Sequence, residues 1–454
     1  MTAVAAPQSW WTGGAAVAVW GAAAANVGIA DQYHAMSTQL DNLAWLIALP
    51  LLAALEALIG RWLPAALRRA FTTRYLVIAS VLWGWIVLLG GASGQRFAPA
   101  VGVASVLWLV LCLGAAFWPQ AWHSIRLARL PAAVAAGAVL FVAAPAFTAS
   151  WMATPVQWPA AAGAPTLAPG AASRDVLVLL LDELSDQAVG PVLAALQREG
   201  LHVVYRPLQP AGDGTAKVIP AMWLHRRFDD PKPCTSSAIC SGSVIFDFAR
   251  IRVSWPDVDV VGFYHPYCAM NGLRWCRRDS PPGLTDDAPA RWSCAVRRRL
   301  GTSLPERCQR DQHLTWTTLV ERVERSYWQA PFWRKGGVLY AHLPIPHPPG
   351  ADPRQTLAEQ YAASVADAAR LTTESVRRLI AAGRTAFTVV VTSDHPLRVA
   401  SWCANGTYSA RRCEESGRLV DTRVPLIVAS TGASPDIAGL ERNEQVFDLV
   451  ARLR

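Results

Sequence analysis

Between residues 1 and 151 the chain carries three acids (Asp31, Asp41 and Glu56) and seven arginines, against 30 acids and 35 basic residues from 152 to 454. A segment with so little charge must find a solvent other than water for its surface. A helix rising 1.5 Å per residue needs about 20 apolar residues to cross a bilayer core. Five such runs occur, at about 12–30, 43–60, 75–93, 101–118 and 130–151, separated by short polar or Pro/Gly-containing turns. The first lacks the basic leader of a signal peptide, and the later runs would remain after any cleavage. Residues 1–151 are therefore expected to form an α-helical membrane domain of about five transmembrane helices.

The arginines orient it, because cytoplasmic loops are enriched in Lys and Arg. Arg61, Arg68, Arg69 and Arg74 lie between runs two and three, and Arg126 and Arg129 between runs four and five. The alternate loops hold Asp31, Asp41 and Arg96. Five spans place the amino terminus inside and everything after residue 151 outside the cytoplasm.

Cysteine usage leads to the same side, since disulfides persist in oxidising compartments. Only Cys112 sits in a predicted span, and eight cysteines follow residue 151. Their spacing suggests four local loops, 234 with 240, 268 with 276, 294 with 308 and 403 with 413. A zinc cluster is disfavoured by irregular spacing without a CxxC pair.

Residues 152–174, with four prolines and many alanines, read as an extended linker. The remaining residues, 175–454, suffice for one large domain. There, short apolar runs alternate with amphipathic ones, the pattern of an α/β sheet packed by helices. Buried strands are predicted at 175–181, 243–248, 258–263, 337–343, 386–392 and 424–430, and helices at 188–199, 215–226, 314–328, 356–382 and 443–454.

In α/β sheets, ligands collect beyond the carboxyl ends of strands. The run DVLVLLL leads straight into Asp182 and Glu183, and TAFTVVVT into Ser393, Asp394 and His395. Carboxylates and imidazole are ligands that zinc or manganese accepts, although acids after a strand also cap helices, as Asp182 or Ser185 could. Between them, GDGTAKVIP places Thr215 where a helix opens after two glycines. Its hydroxyl is either an N-cap or a nucleophile at the positive helix end, with Lys217 balancing phosphate charge. His342 and His347 flank the proline-stiffened segment LPIP, where a histidine can bind a phosphate oxygen or a leaving group, or merely face solvent.

The succession LLLDELSD, GTAKVIPAM, YAHLPIPHPP, VVVTSDHP, RVPLIV and VFDLVARLR resembles the sulfatase-like branch of the alkaline phosphatase superfamily, in order across about residues 175–454. The five-span arrangement extends the likeness to membrane-anchored lipid headgroup transferases of the lipoteichoic acid synthase and phosphoethanolamine transferase type. The resemblance implies an α/β alkaline phosphatase-like sulfatase domain after the membrane domain, on the periplasmic or extracytoplasmic side of a bacterial inner membrane. It implies Glu183 and the adjacent Asp182 as metal-binding acids, Asp394 and His395 as the metal-binding pair, Thr215 as nucleophile and His347 as a substrate contact; the residue reading adds Lys217 and His342 as further substrate-binding candidates. One divalent metal is expected, zinc or manganese, since no second ligand set is apparent.

The implied chemistry is transfer of phosphoethanolamine or phosphoglycerol from a membrane lipid donor to a glycan or lipid acceptor, through phosphothreonine. A formylglycine sulfatase is disfavoured, because the nearest string, Cys234-Thr235-Ser236-Ser237-Ala238, lacks the Pro and Arg of that motif. Pro396 stands where a glycine commonly follows the Asp-His pair. A membrane-bound phosphodiesterase or phosphatase using water is the alternative, and a non-catalytic membrane interaction protein the second. Arginines at 274–278 and 297–299 are expected to face anionic headgroups or solvent. Nucleic acid is a poor partner for basic residues outside the cytoplasm.

Overall fold

A computed structural model describes Tyr33 and residues 152–158, 174–280, 306–350, 354–404, 415–433 and 435–453. The five predicted spans lie outside the described residues, among which no helix is long and apolar enough to cross a membrane.

The domain is built on a seven-stranded mixed sheet. Its strands are β1 (Asp175–Asp182), β2 (His202–Leu208), β3 (Val258–Gly262), β4 (Trp275–Arg278), β5 (Val338–Pro346), β6 (Phe387–Ser393) and β7 (Val424–Ser430). Their spatial order is β2-β7-β6-β1-β5-β3-β4. Only β7 runs against the rest, pairing antiparallel with both β6 and β2. The central strand β1 is buried along its whole length, which explains its unbroken apolar sequence: strands covered on both faces need no polar alternation.

Successive β1 side chains supply two cores. Leu177, Leu179 and Leu181 face helices α1 (Gly190–Arg198), α3 (Glu306–Gln329) and α4 (Leu357–Ala381), while Val176, Val178 and Leu180 face α2 (Thr215–Leu224) and α5 (Val446–Leu453). Thr356 and Glu359 close a capping box at the start of α4, satisfying donors that the first helical turn leaves open.

Five of the six predicted strands join the main sheet. The sixth, 243–248, shrinks to Val244–Asp247 and pairs within a separate three-stranded antiparallel sheet with Lys232–Pro233 and Ala238–Ser241. The short half-buried run pairs with its neighbours, and a disulfide joins Cys234 to Cys240 in the same hairpin region. Strands β2 and β4 carry charge because they are sheet edges, so burial periodicity did not reveal them. A second disulfide joins Cys268 to Cys276. Cys308 and Cys403 are also disulfide-bonded.

Candidate active site

The pairing register brings the two acid-bearing strand ends together. Ser393 stands opposite Leu181 across the β6–β1 ladder, so both strands stop at one level and Asp394 emerges beside Asp182. After β1 the backbone turns through Glu183 at φ 64°, a left-handed conformation uncommon outside glycine, Asn and Asp. Leu184 donates its backbone N–H to Ser393 Oγ at 2.9 Å, and Tyr361 donates its hydroxyl to the Glu183 carbonyl at 2.8 Å. These bonds hold the turn, and its two consecutive carboxylates reach different partners.

Asp182 joins Asp394 and His395, whose ligand atoms all lie within 4.8 Å of one another in the buried interior. His395 Nδ1 faces the Pro396 carbonyl at 3.0 Å. A carbonyl only accepts, so Nδ1 carries the proton and Nε2 turns its lone pair inward, 3.3 Å from Asp394 Oδ2 and 3.8 Å from Asp182 Oδ1. Asp182 Oδ1 is buried without a hydrogen-bond donor. Burial, then the Asp394 and Glu183 charges, push the Asp182 carboxyl well above its ordinary range. Three converging lone pairs, one of them on an orphaned buried oxygen, fit a divalent cation of the zinc or manganese kind.

Glu183 is held apart from that trio. Its Oε1 accepts from Arg398 Nε and its Oε2 from Trp402 Nε1, each at 2.9 Å. Burial pulls its pKa up, but His347, Arg398, His395 and the Trp402 bond outweigh it and leave the carboxyl below its ordinary value. Arg398 and Trp402, on the segment after the Asp-His pair, were not assigned site roles from sequence. The signal was slight: a cation three residues beyond His395 in SDHPLR. Arg398 also reaches the glycine loop, where a Cβ on Gly214 would lie 3.5 Å from its Nη1.

Thr215 is not the N-cap of α2. Gly214 occupies that position without a side-chain cap, and Thr215 is the first helical residue. Its hydroxyl instead donates to Asp394 Oδ2 at 2.7 Å and lies 3.3 Å from His395 Nε2. Ser185 does not cap either; its Oγ accepts from Leu397 N. Asn443, which the sequence did not single out, joins the two loops: its Nδ2 donates to the Asp394 carbonyl at 2.8 Å, and its Oδ1 accepts from Ala211 N at 2.9 Å.

The remaining predicted residues surround this centre unequally. Lys217 stands at the rim in an ion pair of 2.7 Å with exposed Asp213. His347 stacks on Trp316 with ring centroids 3.9 Å apart and lies beside Trp402. Burial drives its pKa down to about 4, so at neutral pH it offers a hydrogen bond rather than a positive charge. His342 lies deeper, fully buried, its Nδ1 2.8 Å from the Tyr267 hydroxyl and its pKa lowered by burial to about 4. Among the arginines of 274–278, Arg274 binds buried Asp259, Arg277 binds Asp279, and Arg278 donates to the Tyr33 carbonyl; those of 297–299 lie outside the described residues.

No protein-family model matches the chain, and no curated protein matches it in sequence. Among solved structures it is similar to the integral membrane lipooligosaccharide phosphoethanolamine transferase A of Neisseria meningitidis, at 12% identity and TM-score 0.36, covering 97% of this chain and 92% of the other. It is also similar to the lipoteichoic acid synthase LtaP of Listeria monocytogenes, at 13% identity and TM-score 0.34 over 62% of this chain and 71% of the other. The C-terminal periplasmic domain of phosphoethanolamine transferase EptC from Campylobacter jejuni matches at 12% identity and TM-score 0.33, over 61% of this chain and 87% of the other.

Proposed function

We propose that this chain is a multi-pass enzyme of the bacterial inner membrane whose extracytoplasmic domain transfers phosphoethanolamine or phosphoglycerol from a membrane lipid to a glycan or lipid acceptor through phosphothreonine at Thr215. The observation that carries this reading is the Thr215 hydroxyl, placed at a helix start and hydrogen-bonded at 2.7 Å to Asp394 beside the Asp182–Asp394–His395 cluster.

Asp182, Asp394 and His395 are the residues that would hold zinc or manganese. Such an ion supplies Lewis-acid charge, lowering the pKa of a neighbouring hydroxyl and offsetting charge on phosphate oxygens. Thr215 Oγ1 attacks phosphorus and gives its proton to Asp394 Oδ2, the acceptor it already faces. The bond from phosphorus to the diacylglycerol oxygen breaks, and that oxygen takes a proton from water. An acceptor hydroxyl then attacks the phosphothreonine and gives its proton to solvent, neutralising the hydroxide left in the first step; the P–O bond to Thr215 breaks as the new P–O bond forms, and Thr215 Oγ1 takes back its proton from Asp394. The amino-terminal end of α2 and Arg398 provide positive potential for the transferred group. A membrane tether raises the effective concentration of lipid at the site.

The test is intact and peptide mass spectrometry of the full chain purified from its native membrane. A phosphoethanolamine or phosphoglycerol mass on Thr215, absent from Thr215→Ala, is expected. An unmodified wild type, even with headgroup-labelled lipid and added zinc or manganese, would remove the covalent transferase and favour the hydrolase or non-catalytic readings.

A further inference from the structure

Tyr33 belongs to the segment between the first two predicted spans, yet it is fully buried against the catalytic domain. Its ring stands edge-on to His265 at a centroid distance of 5.7 Å and to Phe248 at 6.4 Å, and its carbonyl accepts from Arg278 Nη1 at 2.9 Å. Sequence topology places the segment around residues 31–42 outside the cytoplasm, on the same side as the domain. The contact of Tyr33 with the domain is therefore compatible with that predicted topology.

The hydrogen bonds form a directed chain. His265 is fully buried, with Nε2 3.3 Å from the Thr215 carbonyl and Nδ1 2.7 Å from the Tyr33 hydroxyl. The carbonyl only accepts, so Nε2 carries the proton. Nδ1 then accepts from Tyr33, which burial keeps in its neutral, donating form. Thr215 is thus gripped twice, its hydroxyl by Asp394 and its carbonyl by His265. Tyr33 fixes the orientation of the imidazole that makes the second contact.

We infer that Tyr33 is a positioning residue for Thr215, acting through His265, so that alignment of the hydroxyl depends on the Tyr33–His265 contact. The inference rests on the reading of Thr215 as nucleophile. Polar contacts of this kind matter because small misplacements of a reacting group lower rates steeply.

The experiment uses the full chain in detergent or nanodiscs and compares wild type with Tyr33→Phe, which keeps the ring and loses the hydroxyl. Two readouts are taken: steady-state transfer from a headgroup-labelled lipid, and hydrogen exchange of the amides of α2. Tyr33→Phe is expected to lower kcat about 10-fold with KM unchanged, and to speed exchange in the first turn of α2 by a similar factor. His265→Gln, whose amide can donate to the Thr215 carbonyl and accept from Tyr33, is expected to retain more activity than His265→Leu. Wild-type kcat and wild-type exchange in Tyr33→Phe would overturn the proposal, as would His265→Gln no better than His265→Leu. Should Tyr33→Phe lower global stability, the His265 pair decides by the same comparison. Faster exchange in α2 without any adduct in wild type would instead keep the contact and refute the nucleophile.

Discussion

Replacing Arg398 by Met tests how a buried acid is kept charged next to the candidate centre. The Glu183 side chain is 0% exposed and Arg398 is 40% exposed, with 2.9 Å between Nε and Oε1. Removing one partner of a buried pair costs about 3–5 kcal/mol, because the other charge stays buried. The partial exposure of Arg398 and the surviving Trp402 bond favour the lower end, about 3 kcal/mol. At roughly 2.1 cal/mol/K of unfolding entropy per residue over a domain of about 280 residues, that lowers Tm by about 5 °C. The assay is thermal unfolding of the full chain in detergent after chelation, so that bound cation does not add its own stabilisation.

The acid limb gives a second reading of the same variant. A carboxyl held below its ordinary value in the folded state contributes stability that is present above the unfolded pKa, near 4.3, and is lost as pH falls through the folded pKa. Glu183 is such a group, with Arg398 among the charges that overcome its burial. In Arg398→Met the carboxyl titrates higher, so the loss of Tm on acidification below the unfolded pKa is smaller and is complete at a higher pH. Adding Glu183→Gln removes the buried charge and is expected to recover at least half of the lost Tm. A change below 1 °C in Arg398→Met, or a double variant no more stable than the single, refutes the reasoning.

Thr215→Ala is expected to reduce transfer by at least about 10³-fold, the scale on which loss of a nucleophile acts, while Thr215→Ser retains measurable adduct; an active alanine variant refutes the role. Asp182 is pushed upward by burial and like charges, so in metal-free protein its contribution is favourable below the unfolded pKa and is lost as pH rises through the folded value. Asp182→Asn should therefore raise the Tm of chelated protein at neutral pH and lower its metal affinity at least about 100-fold by calorimetric titration, with Glu183→Gln costing about 10-fold; equal losses would put Glu183 among the ligands. The Cys234–Cys240 bridge closes a short loop, with a sequence separation of 6, and opening it by Cys240→Ser should cost about 2 kcal/mol. Thermal melts of wild type and variant measure it, and an unchanged Tm would show the small sheet to be held by packing alone.

Much of the site was legible because it is built at strand ends. Runs such as DVLVLLL and FTVVV are apolar for a local reason, burial on both faces of the sheet, and the first polar residue after each must emerge at the rim. That made Asp182, Glu183, Asp394 and His395 visible as a group, while Thr215, directly after Gly212-Asp213-Gly214, was visible as a helix start. Near-neighbour spacing separately suggested four cysteine loops, two of which are joined in the structure.

What the sequence by itself determined is therefore composition-bound: an almost uncharged first third, an α/β domain after it, and the residue types offered at each strand end. Tertiary structure decided how those residues are shared out. The β6–β1 register set Asp394 beside Asp182, while the left-handed turn at Glu183 sent the next carboxylate to Arg398 and Trp402. The direction of β7 and the edge strands β2 and β4 also lay beyond periodicity, since hydrophobic pattern fixes which face is buried and not which way a strand runs. The contact between Tyr33 and His265 spans 232 residues. Pairings across such separations depend on the packing of whole layers, and no local pattern announces them.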